Sequence, residues 1–179
     1  MHLAIRDFQI RDFQPADFES LWRIDQECFP AGISYTRTEL KTYMRRRGSF
    51  TLVAVNIAGD ETVFPDLGKT IKNLSSTLRT ESAIGGFIVA EGDCGAGHII
   101  TIDVIAAARR SGVGSLLLGG AEERLRDTGC HVVELETAVD NISALAFYKR
   151  HGYSVIGTSP RYYSNGVDAL VLQKDLAAG

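Results

Sequence analysis

The stretch that constrains this chain most is residues 98–127, where a short apolar run is followed by arginines and glycines and then by a helical pattern. Residues 98–102 are mostly β-branched and apolar, which predicts a buried strand. Leu117, Ala121 and Leu125 recur on one face of a helix predicted over residues 115–127, and Gly129 is suited to end it. The segment between them is therefore a loop that leads from a core strand to a helix N-terminus.

This loop has the composition of an anion-binding site. Free backbone N–H groups and the positive end of the helix dipole meet at a helix N-terminus, which suits a phosphate or pyrophosphate. Gly112 and Gly114 allow the backbone to approach the anion closely, and Arg109 and Arg110 can add charge-assisted hydrogen bonds.

Loops of this kind serve several nucleotides. A nucleoside-triphosphatase loop ends in Gly-Lys-Ser/Thr, and Val113-Gly114-Ser115 has no lysine, so that class is excluded. A dinucleotide fold requires a third glycine where Leu117 stands, although a carboxylate, Glu134 or Glu136, follows about twenty residues later. From the loop alone, the dinucleotide fold and an ordinary strand–helix turn with two glycines both remain open.

Three segments together resemble a known superfamily. The pattern Arg-x-x-Gly-x-Gly between a strand and a helix resembles the pyrophosphate loop of the GNAT acetyltransferases. Residues 135–153 resemble the last block of those enzymes, with Asn141 near a helix start, then Ala144-x-x-x-Tyr148 and Gly152-Tyr153. Residues 161–169, with residues 97–102 and 28–35, are similar to the N-terminal protein acetyltransferases, including the RimI-type ribosomal-protein alanine acetyltransferases and their archaeal relatives.

The resemblance covers most of the chain and implies a single α/β (α+β) GNAT domain over residues 1–179. Its mixed central sheet of about seven strands is expected to have helices on both faces. We take residues 1–9 as an N-terminal extension, with the second copy of the tandem pentapeptide Ile-Arg-Asp-Phe-Gln (residues 10–14) as the first strand. Residues 56–82 are polar and punctuated by glycine and proline, which predicts an insertion between two strands.

The same resemblance implies acetyl-CoA as cofactor, with direct transfer of the acetyl group to an amine. Glu136 is then the proposed general base, with Glu134 in reserve, Tyr148 the acid that protonates the thiolate, and His98 a catalytic or water-holding side chain. An α-amino group has a pKa near 8 and a lysine near 10.4, so an N-terminal acceptor needs less help from a base.

The expected binding residues form two sets. The cofactor set comprises Ile102, Asp103, Val104, Arg109, Arg110, Ser111, Gly112, Val113, Gly114, Ser115, Asn141 and Tyr148. The acceptor set comprises Phe29, Tyr35, Tyr162 and Tyr163. A β-bulge is expected at Val104, where it would free backbone groups for the pantetheine arm. Asp103 departs from the family pattern, in which small or apolar residues are common, and is a candidate for binding a cationic amine.

Composition bounds the remaining possibilities. A net charge of −3 gives no general attraction to nucleic acid, and no apolar run reaches the roughly 18 residues that span a membrane. We see no signal-peptide pattern, and three scattered cysteines indicate reduced thiols in a cytoplasmic protein without a metal site. The expected partner is therefore a protein N-terminus or a small amine, bound by a monomer or homodimer. The open alternatives are a GNAT enzyme for a small-molecule amine or a lysine side chain, and a non-catalytic acetyl-CoA-binding module.

Overall fold

Seven strands form one mixed sheet in the computed structural model, which describes residues 7–57, 84–93 and 95–177. The strands are β1 (Phe8–Asp12), β2 (Ser49–Asn56), β3 (Ile84–Asp93), β4 (Ala96–Val104), β5 (Val132–Ala138), β6 (Ser154–Ser159) and β7 (Ala169–Asp175). The helices are α1 (Phe18–Cys28), α2 (Arg37–Met44), α3 (Val113–Asp127) and α4 (Ile142–Arg150), with short 3₁₀ turns at Pro15–Asp17 and Ala106–Ala108. The predicted α/β architecture with a mixed sheet is confirmed.

Helices cover both faces of the sheet because its central strands are apolar on both sides. On one face, Leu117, Leu118 and Leu125 of α3 are fully buried in a cluster with Val133 and Leu135 of β5. On the other face, buried side chains of α1 and α2 pack against β2 and β3; they are Phe18, Leu21, Ile24, Leu40, Val53, Phe87 and Val89. Strands that are buried on both faces read as continuous apolar runs, which is the pattern of β2 and β3.

The strand order is β1-β2-β3-β4-β5-β7-β6, and the parallel contact between β4 and β5 is short. The two strands pair only over Ala96–Ile99 and Val132–Leu135. Beyond this point β4 continues to pair with β3, and β5 continues to pair with β7. The strands therefore separate towards their C-terminal ends and leave an opening in the middle of the sheet.

A β-bulge lies at the point where β4 leaves β5. Val89 pairs with Thr101 and Ala90 with Ile99, so Ile100 is the extra residue. The expected bulge at Val104 is wrong, since Val104 pairs in register with Gly86. Because a bulge bends its strand and increases the local twist, its place at Ile100 directs β4 away from β5.

The N-terminal strand begins earlier than predicted. β1 starts at Phe8, inside the first copy of the pentapeptide and inside the segment that we expected to be an extension. Phe8 is 5% exposed and belongs to the main core, so burial of this ring fixes the strand across the boundary of the two copies. Residues 1–6 of the expected extension, most of the expected 56–82 insertion and Cys94 lie outside the described residues.

A buried ionic cluster attaches the C-terminal strands to α3. Glu122 of α3 is 4% exposed and accepts hydrogen bonds from Lys174 Nζ at 2.6 Å and from the Tyr153 hydroxyl at 3.0 Å. Arg126 Nη2 lies 3.7 Å from the same carboxylate. A buried charge that keeps its partners is tolerated, whereas one that loses them is costly.

We predict that Glu122→Ala lowers the free energy of unfolding by about 3 kcal/mol, because it leaves the Lys174 ammonium and the Tyr153 hydroxyl without their shared acceptor. Urea unfolding monitored by circular dichroism measures this loss. The neighbouring Glu123→Ala, at an exposed position, is the matched control and should stay within about 0.5 kcal/mol of the wild type. Equal losses in the two variants would contradict a specific contribution of the cluster.

Candidate active site

A cavity of about 1110 Å³ lies at the opening between β4 and β5 and is lined from both faces of the sheet. On the α3–α4 face its lining includes Gly112, Gly114, Ser115, Asn141 and Tyr148. On the α1 face it includes Cys28, Phe29, Tyr35 and Tyr163. Ile102, Val104 and Glu136 lie on the separated strand segments between the two faces. The opening thus connects the predicted anion loop with the predicted acceptor residues.

The anion loop has the backbone geometry of an anion-binding concavity. Arg110 and Gly112 have positive φ values of 59° and 95°, and Ser111 between them is not among the residues of positive φ. Alternation of this kind turns successive N–H groups towards one point. Gly112 is the N-cap of the fifteen-residue helix α3 and provides no side-chain cap, so the first N–H groups of the helix have no side-chain acceptor.

Three residues of the expected cofactor set have side chains that are engaged elsewhere. Arg109 Nε donates to the carbonyl of Val104 at 3.0 Å, so its guanidinium closes the loop onto the end of β4, although it also lines the cavity. Ser111 Oγ donates to the carbonyl of Ala108 at 2.7 Å. Val113 is fully buried in the core. At Ser111 and Val113 only the main chain is left to act towards an anion.

Two basic residues that the sequence analysis did not select also line this part of the cavity. His151 Nε2 lies 2.9 Å from Ser115 Oγ, and His151 Nδ1 lies 2.8 Å from the carbonyl of Phe147. Arg150 is exposed beside them. The only signal for them in the sequence is the basic end of α4, which is equally typical of an ordinary helix C-terminus.

Asn141 precedes α4 as its N-cap, and Tyr148 lies within the helix. The Asn141 side chain caps the helix by accepting from the N–H of Ala144 at 3.2 Å, and both residues line the cavity. Tyr148 is 6% exposed, and its ring packs edge-on against Phe147 and Tyr153. Burial raises the pKa of Tyr148 above its ordinary value, so the hydroxyl keeps its proton at neutral pH.

Glu136 and His98 form a hydrogen-bonded pair on the α1 face. His98 Nε2 lies 2.7 Å from Glu136 Oε2, and the Tyr162 hydroxyl donates to the same oxygen at 3.3 Å. Glu136 lines the main cavity, whereas His98 lines a smaller second pocket behind it. The reserve candidate Glu134 is absent from the main cavity and accepts from Gln173 Nε2 at 2.7 Å.

The pair influences the charge of both members. The hydrogen bond from His98 holds the pKa of Glu136 below its ordinary value, against an opposing effect of burial. The bond with Glu136 raises the pKa of His98 above its ordinary value, and the fields of Glu136, Glu91 and Glu134 add to it. Glu136 is therefore ionised at neutral pH and positioned to accept a proton at the cavity surface.

The aromatic residues of the expected acceptor set surround the α1 side of the cavity. Phe29, Tyr35 and Tyr163 line it, and Tyr162 packs edge-on against Tyr163 with ring centroids 5.0 Å apart. Burial, with the field of Glu136, raises the pKa of Tyr163 to about 12. The Tyr35 hydroxyl donates to the carbonyl of Ile100 at 3.3 Å, so it contacts the bulge itself. These rings provide an apolar wall next to the Glu136 carboxylate.

A buried carboxylate holds the loop that carries Phe29 and Tyr35. Asp25 of α1 is fully buried, and its Oδ2 accepts from the backbone N–H of Tyr35 and from Gln26 Nε2, each at 2.8 Å. Burial raises the pKa of Asp25 to about 6. The Asp25 carboxylate thus accepts a backbone hydrogen bond from the loop after α1, in place of a carbonyl group. Nothing in the sequence indicated this contact.

The expectation that Asp103 binds a cofactor or a cationic amine is not supported by its position. Asp103 is 1% exposed, does not line the cavity, and accepts from Thr101 Oγ1 at 3.1 Å. Its Oδ1 has no hydrogen-bond partner among the described residues. Burial, with the field of Asp25, raises the pKa of Asp103 well above its ordinary value, which disfavours the charged form that a cationic amine would need.

We predict that Asp103→Asn stabilises the fold at pH 8 and has a smaller effect at pH 4. The unfolded carboxyl loses its proton above about pH 4, whereas the folded one keeps it, so this group costs stability as pH rises from the unfolded pKa towards the folded one. An amide of the same shape never titrates, and each pKa unit avoided is worth about 1.4 kcal/mol.

Urea unfolding at both pH values tests this prediction, with the exposed Asp127→Asn as matched control. A destabilisation by Asp103→Asn that is larger at pH 8 than at pH 4 would contradict a protonated Asp103.

A protein-family model matches the part of the sequence that contains the anion loop and α4. Residues 69–153 match the family model described as the acetyltransferase (GNAT) family. The predicted resemblance to the GNAT acetyltransferases is confirmed over the residues that carry the loop and helix motifs. No helix in residues 7–57, 84–93 and 95–177 is long and apolar enough to cross a membrane, and the same residues hold no cluster of three or more potential metal ligands.

Relatives by sequence carry names of the same chemistry. The uncharacterized N-acetyltransferase MJ1530 of Methanocaldococcus jannaschii is 35% identical over 52% of this chain and 61% of its own length. The N-alpha-acetyltransferase of Sulfolobus acidocaldarius is 33% identical over 45% of this chain and 48% of its own length. The matched region thus spans about half to three-fifths of these curated relatives.

Solved structures share the fold over nearly the whole chain. Ard1 from Thermoplasma volcanium superposes with a TM-score of 0.74 at 25% identity, covering 94% of this chain and 97% of its own. The ribosomal-protein-S18-alanine N-acetyltransferase of Escherichia coli has a TM-score of 0.71 at 15% identity, covering 96% of each chain. NAA60 of Arabidopsis thaliana, solved in complex with acetyl-CoA, has a TM-score of 0.73 at 19% identity, covering 94% and 98%. The resemblance to these GNAT enzymes is confirmed at the level of the fold.

Proposed function

We propose that this protein is an acetyl-CoA-dependent N-acetyltransferase that transfers the acetyl group directly to the α-amine of a protein N-terminus. The observation that carries the proposal is that Glu136, Tyr148 and the anion loop line one cavity. The lowered pKa of Glu136 and the raised pKa of Tyr148 are consistent with a base and an acid. A sequence relative is named an N-alpha-acetyltransferase, and that name, although it belongs to the relative, supports an N-terminal acceptor here.

The residues of the cavity fit acetyl-CoA. Its pyrophosphate would be held by the backbone N–H groups of residues 110–115, whose positive φ values and uncapped helix start favour an anion. Arg110 and Arg150 line the cavity and provide positive charge. A Cβ added to Gly114 would lie 3.3 Å from Phe147 Cε2, so glycine keeps the passage between α3 and α4 open. When bound, acetyl-CoA supplies a thioester that an uncharged amine can attack.

Glu136 is the proposed general base. An α-ammonium group must lose a proton before it can attack, and a carboxylate at the cavity surface can take that proton directly or through a water. His98 and Tyr162 both donate to Glu136 Oε2, which leaves Oε1 to accept from the acceptor amine. The two donors also hold the carboxylate in one orientation.

Tyr148 is the proposed acid. Because its pKa is raised, its hydroxyl keeps its proton at neutral pH, where Glu136 is ionised. It lies on α4 and Glu136 lies on β5, and both line the opening between β4 and β5. Glu136 can thus take a proton from the amine on one side of the cavity, and Tyr148 can give a proton to the departing thiolate on the other.

The acceptor residues favour the end of a polypeptide. Phe29, Tyr35 and Tyr163 form an apolar wall for a first side chain, next to the carboxylate that receives the amine proton. Asp103, which suggested a small-molecule amine, is buried and does not line the cavity, so its position does not favour that acceptor. Cytoplasmic localisation and a monomeric or homodimeric state stay predictions.

We predict that the wild-type protein acetylates free N-terminal peptides and that Glu136→Gln lowers kcat about 100-fold, because the base is lost while the shape is kept. Mass spectrometry of peptides with free α-amines, of α-blocked peptides that contain lysine, and of polyamines measures the transfer. Glu134→Gln is the matched control on the same strand.

The outcomes separate the alternatives. Label on lysine or polyamine alone would refute the N-terminal acceptor and favour the small-amine or lysine enzyme. Coenzyme binding without transfer to any acceptor would favour a non-catalytic module. A loss in Glu134→Gln instead of Glu136→Gln would move the base to Glu134.

We further predict that His98→Asn moves the acidic limb of the kcat–pH profile to higher pH. The His98 hydrogen bond lowers the pKa of Glu136, so without the imidazole the carboxylate stays protonated to a higher pH. The profile is measured with saturating peptide and acetyl-CoA, and His151→Asn is the control for loss of a histidine at the cavity. A limb that stays in place or moves to lower pH in His98→Asn would contradict the coupling.

A further inference from the structure

A row of charged side chains extends from Glu136 to the surface behind the cavity. His98 bonds Glu136 on one side and opens on the other into the second pocket, which has a volume of about 390 Å³. His98 Nδ1 lies 4.0 Å from Glu91 Oε1, and Arg46 Nη1 lies 3.3 Å from the same oxygen. The proposed base is thus connected through one imidazole to a carboxylate outside the cavity.

Strand register explains why Glu91 faces His98. Glu91 of β3 is the direct cross-strand partner of His98, and Glu134 of β5 is its partner on the other side. Side chains of directly paired residues lie on the same face of a sheet, close enough to interact. The two flanking carboxylates differ in their partners. Gln173 donates to Glu134, whereas Arg46 pairs with Glu91, which lies beside Nδ1 of His98.

We propose that Glu91 is a positioning residue for the acetyl transfer: from the Nδ1 side it holds the His98 imidazole so that Nε2 donates to Glu136. The proposal rests on the proposed function. A ring nitrogen whose partner is fixed determines what the other nitrogen can do. A gap of 4.0 Å leaves room for a bridging water, and the second pocket is large enough to hold one and is lined mostly by charged residues.

The charges around His98 come from three elements. Those that face it or line its pocket are Glu91 and Asp93 of β3, Glu134 and Glu136 of β5, and Arg46 and Arg47 after α2. The negative groups favour the imidazolium form, and the arginines oppose it. Arg46 is paired with Glu91, which reduces its effect on the ring.

A titration of His98 by nitrogen NMR tests the proposal without any need for activity. The chain has four histidines, and the His98 signals are assigned by their loss in His98→Asn. We expect Glu91→Gln to lower the pKa of His98 and Glu134→Gln, the matched cross-strand control, to lower it less. An unchanged His98 in Glu91→Gln, or an equal change in the two variants, would overturn the proposal.

Kinetics provide the second readout. In Glu91→Gln we expect kcat to fall about 5-fold, the size expected for a partly exposed charge pair, while KM for the peptide stays unchanged because Glu91 lies outside the cavity. Glu91→Asp keeps the charge and should recover part of kcat. A rise in KM with unchanged kcat would overturn the positioning role. If the wild type transfers no acetyl group, the proposed function fails, while the NMR titration still decides whether Glu91 controls His98.

Discussion

The separation of β4 from β5 is the constraint on which the rest of the structure depends. The two strands pair over only four residues each, and then each keeps its pairing with its outer neighbour, β3 or β7. Strands in a sheet twist relative to each other, and a bulge at Ile100 adds to that twist where the two strands part. The opening exposes backbone and side chains of both strands in the centre of a sheet whose other neighbouring strands stay paired.

The opening also brings together groups that a continuously paired sheet would keep on opposite faces. The helix start at Gly112 and the basic end of α4 provide positive potential on one face. The other face has the carboxylate of Glu136 with its imidazole partner. Tyr148, whose pKa is raised by burial, also lines this cavity. A polyanionic donor and a cationic acceptor would therefore each meet the opposite charge on its own side.

Local patterns in the sequence predicted the side of the cavity that is formed by the anion loop and α4. The arginine and glycine pattern predicted the loop before α3, although the helix begins at Val113, two residues earlier than predicted. The pattern from Asn141 to Tyr148 predicted a helix that begins near Asn141. These features depend on residues that are close in the chain, where helix geometry decides the outcome.

The features that sequence reasoning missed depend on pairings between distant segments. His98 and Glu136 are 38 positions apart, and their bond requires β4 and β5 to be neighbours in one register. Glu91 meets His98 only through the pairing of β3 and β4. The burial of Asp103 follows from alternation along β4 combined with the packing of α1, and a bulge shifted by four residues from the expected Val104 changes which side chains share a face.

The lowered pKa of Glu136 bears on which amine the proposed base would serve best. A base becomes weaker as its pKa falls, and the hydrogen bond from His98 lowers that of Glu136. A lysine ammonium, with a pKa near 10.4, would have to give its proton to a carboxylate that binds protons even less well than a free glutamate. An α-ammonium with a pKa near 8 releases its proton more easily by about two units, and at neutral pH a measurable fraction is already uncharged. A hydrogen-bonded and ionised glutamate is therefore better matched to a chain terminus than to a lysine side chain, which is the physical reason for preferring the N-terminal acceptor.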